Sequence, residues 1–310
     1  NLAIWGRLSA MHHPGEVLYT AAEHEAVKNA CLESQARYGV AAREIPLLPS
    51  GTVDLTALEG MLGPQTALIC VMQVCNETGV IMPVKAICEL RDRLAPQAAI
   101  HVDGVQGYLR VPFSFKKTKV QSYALSAHKI HGPKGAGALV VADGVRIKPI
   151  LAGGGQQAGL RSGTENTCGV AGMLAAVRSY PPDGAERMLR LKRLLVSLLS
   201  EALPEMTVAG LPADDPMSAG HILNVAFPPV RAETLLHALE ADGIFVGTGS
   251  ACSSKKGKRS SVLTAMGLPP EVLDGAIRIS LCPSNTGEEM RYTAEKIIER
   301  VRQLRRFTRR

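Results

Sequence analysis

The chain has 310 residues, enough for one large domain or two modest ones with a sizeable apolar core. Its 46% hydrophobic and 20% charged residues are those of a globular protein, and aromatics at only 4% argue against a nucleic-acid surface built on stacked bases. The net charge of +7 gathers in "RVRQLRRFTRR" at the C-terminus and "KKGKR" at 255–259, which read either as solvated basic patches or as docking sites for an acidic protein partner.

The opening "NLAIWG" reads as the interior of a helix. "EVLYTA" (16–21) is strand-like and precedes an amphipathic stretch from Glu23 to Tyr38. "AREIPL" precedes a helix at "DLTALEGML", and "TALICVMQV" precedes one from Val84 to Leu94. "AAIHVD", "SYALSA" and "GALVVA" follow as short apolar strands. Near-continuous apolar strands between helices predict an α/β fold with a mostly parallel sheet covered on both faces. After Tyr180 the breaker cluster "PPDG" marks a change. A long helix from Glu186 to Leu203, strands at "ILNVAF", "GIFVGTGS" and "AIRISL", and helices near Glu233–Asp242, Ser260–Met266 and from Thr286 predict a smaller α+β domain with a three-strand sheet. The expected division is 1–183 and 184–310.

The seven cysteines (Cys31, Cys70, Cys75, Cys88, Cys168, Cys252 and Cys282) are odd in number and irregular in spacing. With no C-x-x-C pair, they suggest neither a disulfide framework nor a metal site. That profile fits a reducing compartment such as the cytoplasm. No apolar run reaches membrane-spanning length and no signal peptide is visible.

Two stretches carry the chemistry. "HVDGVQ" (101–106) is a buried-type strand ending in Asp103, with Gln106 one turn onward. Polar groups just past the C-terminal end of a parallel strand stand where open α/β sheets bind ligands, although Asp103 alone also suits a capping role. "SYALSAHK" is the next such strand, ending in Ser126, His128 and Lys129. A lysine at a buried strand end is costly if charged and unpaired. Desolvation lowers its pKa, and the neutral amine can form a Schiff base with a carbonyl. Pyridoxal phosphate is the common cofactor with such a carbonyl, and its ring nitrogen needs an acid such as Asp103. Ser126 and His128 are phosphate-contact candidates, whereas Lys134, between Pro133 and Gly135, belongs to an exposed turn.

Cys252 lies in "GTGSACSSKKGKRSS", a composition of small and polar residues typical of an exposed loop. Free cysteines are usually buried, so this one is unusual, and Lys255, Lys256 and Lys258 favour its nucleophilic thiolate.

"EHEAV" (23–27), "NETGV" (76–80), "HVDGVQ", "SAHKIHGPKGAGAL", "RSGTEN" (161–166) and "GTGSACSS" (247–254) together resemble the cysteine desulfurases, the NifS-like group of class V aminotransferases. The resemblance implies the fold-type I architecture and pyridoxal phosphate. It gives Lys129 the covalent link to the cofactor, Asp103 the ring nitrogen, Gln106 the ring hydroxyl, and His24 a place stacked on the ring as proton shuttle. Ser126 and His128 would bind the phosphate. Thr164 would reach the phosphate of a neighbouring subunit, which implies a homodimer. Asn76 would lie beside the ring hydroxyl and the substrate carboxylate, and Arg278 would grip that carboxylate with its guanidinium fork. The implied reaction takes sulfur from L-cysteine onto Cys252 as a persulfide, releases L-alanine, and passes the sulfur to an acceptor such as an iron–sulfur scaffold or a tRNA-thiolation relay. A selenocysteine lyase and a non-catalytic scaffold of the same fold are the alternatives.

The sequence departs from the family pattern at Gln157 and Ala158, where an acidic–basic pair is usual, at Cys282–Pro283 after the Arg278 strand, and at His221. The family's first phosphate-binding loop would precede Asn1. The expectation is that the 310 residues alone bind cofactor weakly or not at all, or are one piece of a longer protein.

Overall fold

The computed structural model describes residues 1–12, 15–248 and 259–308. Cys252 and Lys255, Lys256 and Lys258 lie outside the described residues. By spatial proximity the chain forms two compact units. The first comprises Asn1–Pro46, Val53–Val74 and Met82–Tyr180, and the second Leu47–Thr52, Cys75–Ile81 and Pro181–Arg310.

The first unit is built on six strands: β1 (Glu16–Thr20), β2 (Ala41–Ile45), β3 (Thr66–Met72), β4 (Ala99–Asp103), β5 (Ser122–Ser126) and β6 (Gly137–Val141). Their order is β2-β1-β3-β4-β5-β6. All neighbours are parallel except β5 and β6, which run antiparallel. The sheet is flanked by helices, as a mostly parallel sheet requires. β3, at its centre, is buried at every position, which explains its apolar sequence from Ala67 to Met72. The helices are α1 (Arg7–Ser9), which continues a π-helical turn at Leu2–Gly6, then α2 (Glu25–Tyr38), α3 (Leu55–Met61), α4 (Val84–Leu94), α5 (Phe115–Thr118) and α6 (Thr167–Ser179). Asp54 caps α3 by accepting the Ala57 N–H at 2.9 Å. Helix α6 was not expected. Its "TCGVAGMLAAVRS" is apolar nearly all round, so it shows no amphipathic period.

The second unit contains α7 (Gly184–Ala202), β7 (Thr207–Val208), β8 (Ile222–Ala226), α8 (Ala232–Glu240), β9 (Gly247–Thr248), α9 (Ser261–Ala265), α10 (Pro270–Gly275), β10 (Ala276–Ser280) and α11 (Gly287–Thr308). Its sheet has four strands in the order β7-β8-β10-β9, not the three expected. The additional edge strand, β7, pairs only two residues with β8, too few to leave a period-two signal. Met188, Leu191, Leu195 and Leu199 recur at helical spacing on α7 and pack with Leu223 and Val225 of β8, Ile277 of β10 and Ile297 of α11. A reciprocal capping box starts α11: Thr286 N donates to Glu289 Oε2 at 2.8 Å and Glu289 N to Thr286 Oγ1 at 3.2 Å. Part of the basic C-terminus is engaged inside this unit. Arg300 holds Asp242 with two bonds, at 2.8 and 2.6 Å, and Arg305 pairs with Glu205. No helix among the described residues is long and apolar enough to cross a membrane.

Candidate active site

Asp103 is the last residue of β4 and stands in register with Met72 of β3 and Ala124 of β5. The chain turns sharply after it. Gly104 N donates to Ala124 O at 2.8 Å, and a Cβ on Gly104 would fall 1.8 Å from the ring of Tyr123. Gly107 is equally constrained, since a Cβ there would meet the Gln73 side chain at 2.0 Å. These two contacts explain why "DGVQG" needs glycine at both places. Tyr123 in turn stacks on Phe113 and donates to Gln73 Oε1 at 2.6 Å.

Burial pushes the Asp103 carboxyl above the usual aspartate range. The Val105 N–H, at 2.9 Å from Oδ1, and the nearby His24 and Lys129 side chains oppose that shift. The first unit therefore brings Asp103, His24 and Lys129 within electrostatic reach of one another.

Lys129 does not end a buried strand. Strand β5 stops at Ser126, and Lys129 follows on a single 3-10 turn, Ala127–Ile130, where it is half-buried. Ala127 and Ile130 are the buried members of that turn, leaving the sides of His128 and Lys129 open. Lys134 is exposed. Ser126 Oγ and His128 Nδ1 lie 2.8 Å apart, and desolvation, with Lys129 and Lys134 nearby, lowers the His128 pKa. Gln106 Oε1 accepts from Arg110 Nη1 at 3.3 Å, and Arg110 Nη2 donates to the Lys129 carbonyl. Arg110 thus ties Gln106 to the turn that carries Lys129. Sequence reading missed it because an arginine in "GYLR" has no distinguishing pattern.

His24 is the N-cap of α2, and its Nδ1 accepts the Ala26 N–H at 3.1 Å. In the neutral ring this assigns the proton to Nε2. Thr164 is exposed, in the loop before α6, and Asn166 caps that helix. In the same loop Gln157 and Ala158 both hold left-handed backbone, at φ +51° and +55°, and Gln157 Nε2 donates to Glu165 Oε1 at 2.6 Å.

Asn76 and Arg278 belong to the second unit, where Arg278 Nη1 donates to Asn76 O at 3.1 Å. Cys252 lies outside the described residues. Of the other cysteines, Cys31, Cys70, Cys75 and Cys88 are buried, Cys168 is exposed and Cys282 is intermediate.

Glu23 is a further residue that the motif reading passed over. It is 4% exposed. Its Oε1 accepts both the Met72 N–H at 2.6 Å and the Thr20 hydroxyl at 2.7 Å, while Oε2 is buried with no hydrogen-bond partner among the described residues. Met72 is the strand partner of Asp103, so two carboxyls sit at adjoining strand ends. Burial, reinforced by Asp103, pushes the Glu23 pKa up to about 8. The folded chain thus holds a proton that the unfolded chain has already released. Stability from this group is full at acid pH and is lost as pH rises towards 8. His101, depressed by burial to about 3, acts in the opposite sense but only below its ordinary value of 6.5. Between that value and pH 8, the Glu23→Gln protein should show a flatter stability profile in urea titrations, the difference approaching about 1.4 kcal/mol per pH unit. Parallel profiles would mean that Glu23 is ionised in the folded protein.

Residues 1–292 match the class-V aminotransferase family. A cysteine desulfurase of Nostoc sp. is 36% identical over 305 residues, covering 97% of this chain and 72% of the relative. This chain belongs to the cysteine desulfurases of the class-V aminotransferase family. Among solved structures, a NifS-like protein superposes with a TM-score of 0.83 at 35% identity, covering 94% of this chain and 76% of the other. A structure described as SspA in complex with cysteine gives 0.78 at 26% identity, covering 92% and 79%. Class-V aminotransferases and cysteine desulfurases depend on pyridoxal phosphate.

Proposed function

We propose that this chain is a pyridoxal phosphate-dependent enzyme that removes the sulfur of L-cysteine and releases L-alanine. The observation that carries the reading is the buried Asp103 carboxyl at the end of β4, with His24 and Lys129 within electrostatic reach, in a chain of this family. The donor set fits the cofactor. It offers a carboxylate for the ring nitrogen, a primary amine for the aldehyde, and the Ser126–His128 pair for the phosphate. When bound, pyridoxal phosphate supplies an electron sink for bond breaking at the substrate carbons.

The chain's own residues do the rest. Lys129 would anchor the cofactor and, once displaced, take the substrate α-proton at Nζ. Asp103 would keep the ring nitrogen protonated. Gln106, steadied by Arg110, would bond the ring hydroxyl. His24, with its Nδ1 committed to the helix cap, would move protons at Nε2. Arg278 and Asn76 would hold the substrate carboxylate. Cys252 would receive the sulfur and pass it to an acceptor, an iron–sulfur scaffold or sulfur-relay protein.

A second copy of this chain is the proposed structural partner. Val170 and Leu174 of α6 are 63% and 48% exposed, with Leu151 at 48% and Ile150 at 39% on the same unit. Val170 and Leu174, four residues apart on α6, are the apolar patch that a second copy would cover, and Thr164 would then reach the cofactor phosphate of the other copy.

Purified protein shown by its absorbance to carry pyridoxal phosphate should release L-alanine from L-cysteine, and borohydride treatment followed by peptide mapping should find the reduced cofactor on Lys129. No alanine, or label on a different lysine, overturns the reading.

A further inference from the structure

Gln73 directly follows β3 and Tyr123 lies on β5, and both side chains are buried, at 2% and 5% exposed. Burying an amide and a phenol is costly unless each is hydrogen-bonded. Here they bond one another and a single stretch of backbone. The Tyr123 hydroxyl donates to Gln73 Oε1 at 2.6 Å, with the Gly104 carbonyl a more distant acceptor at 3.4 Å. Gln73 Nε2 donates to Val111 O at 3.2 Å, and the Gln73 backbone N–H donates to Asp103 O at 2.8 Å. Burial, with Asp103 nearby, raises the Tyr123 pKa, so the phenol stays a donor.

The backbone from Asp103 to Val111 is folded against this pair. Gly104 O accepts the Gly107 and Tyr108 N–H groups at 3.0 and 2.8 Å, and Gly107 O accepts those of Arg110 and Val111, both at 2.9 Å. Two turns follow one another, each closed on a glycine carbonyl, and each glycine rests on one member of the pair. A Cβ at Gly104 would stand 2.2 Å from the Tyr123 hydroxyl oxygen, and one at Gly107 would stand 2.0 Å from Gln73 Oε1. Neither side chain is free to step aside. The Tyr123 ring stacks on Phe113 with centroids 4.8 Å apart, and the Gln73 amide is bonded through both its oxygen and its nitrogen. Asp103 opens this stretch and Gln106 lies between its two glycines.

We propose that Tyr123 and Gln73 are positioning residues for the cofactor: their hydrogen-bonded pair is the floor on which the 103–111 turns rest, and it fixes where the Asp103 carboxyl and the Gln106 amide stand relative to one another. The inference rests on Asp103 and Gln106 being the ring-binding residues of the proposed function, and extends it to the pair that supports them. It also gives a reason for two buried polar side chains where apolar ones would carry no desolvation cost.

The floor can be tested without cofactor. Tyr123→Phe removes the hydroxyl and keeps the ring. Hydrogen exchange at the Gly107 and Tyr108 amides should quicken by about tenfold or more, with Ile69 and Cys70 of β3 unchanged. The dissociation constant for pyridoxal phosphate, followed by absorbance, should rise by about tenfold. An ortho-formylbenzyl phosphate keeps the aldehyde and the phosphate but has neither ring nitrogen nor ring hydroxyl, so its binding should be unaltered. Tyr123→Phe leaves Gln73 Oε1 without its donor, whereas adding Gln73→Met replaces both partners by apolar groups of similar shape. The urea midpoint of that double variant should return towards the parent's, while exchange stays fast and pyridoxal phosphate stays weakly bound. The double variant also keeps the test alive if Tyr123→Phe fails to fold. Unchanged exchange at Gly107 and Tyr108, equal acceleration at Ile69 and Cys70, an analogue weakened as much as pyridoxal phosphate, or full recovery of cofactor affinity in the double variant overturns the proposal. Faster exchange with selective loss of pyridoxal phosphate, in a protein whose parent releases no alanine, supports the floor and refutes the desulfurase reading alone.

Discussion

Lys129→Ala is expected to lower L-alanine release from L-cysteine by about 10⁴-fold or more, because in the proposed reaction one amine would serve both as covalent anchor and as base. The half-buried turn Ala127–Ile130 presents the side chain, and Arg110 fixes the turn through the Lys129 carbonyl. Loss of the side chain therefore removes the reactive group without removing what shapes its surroundings. Lys129→Arg keeps the positive charge near Asp103 but has no nucleophilic amine, so it should be as inactive as the alanine variant. Lys134→Ala, at an exposed position, should stay within about twofold of the parent. The measurement is L-alanine release, with borohydride labelling as a second readout. Labelling that persists in Lys129→Ala would refute the assignment.

The second large effect is expected at Cys252. In the proposed reaction its thiolate would attack the sulfur of bound L-cysteine, forming a new S–S bond. The Cβ–S bond would break with its electron pair staying on Cβ, and a proton added there, with return of the α-proton from Lys129 Nζ to Cα, would complete L-alanine. Cys252 would be left as a persulfide, so the step is redox-balanced and needs no external oxidant. Removing the nucleophile should cut turnover by about 10³-fold or more while leaving cofactor binding intact. Cys252 lies outside the described residues, but the chain beyond it is firmly held. Arg259 pairs with Asp274 through two bonds at 2.8 and 2.9 Å. Ser260 caps α9 and its hydroxyl donates to Glu77 Oε2 at 2.5 Å. The assay is L-alanine formation beside mass analysis of the Cys252 peptide. Undiminished alanine from Cys252→Ala would exclude the persulfide step. Cys168→Ala, at an exposed thiol in α6, is the matched control.

Much of the architecture was legible because its signals are local. Strand β3 is buried along its whole length, and it reads as an unbroken apolar run from Ala67 to Met72. The spacing of Met188, Leu191, Leu195 and Leu199 marks α7 before any contact is known. Short or featureless elements were not legible. β7 pairs two residues, and α6 lacks a polar face to give it a period. Lys129 illustrates the same limit at the site. Its neighbours in sequence place it near a strand end, but the 3-10 turn that leaves it half-buried follows from packing of Ala127 and Ile130.

By itself the sequence determined the chemical inventory: an acid at one strand end, a lysine a few residues past the next strand, an arginine in a C-terminal strand, and a cysteine among lysines. These are fixed by residue type and periodicity, which no tertiary contact can change. Only the tertiary structure decided what surrounds them. It set Glu23 against the strand partner of Asp103, linked Gln106 through Arg110 to the Lys129 turn, and placed Arg278 in register with Asn224 and Gly247. Burial, charge coupling and hydrogen-bond pairing depend on residues tens to hundreds of positions apart, so they exist only once the strands are in register.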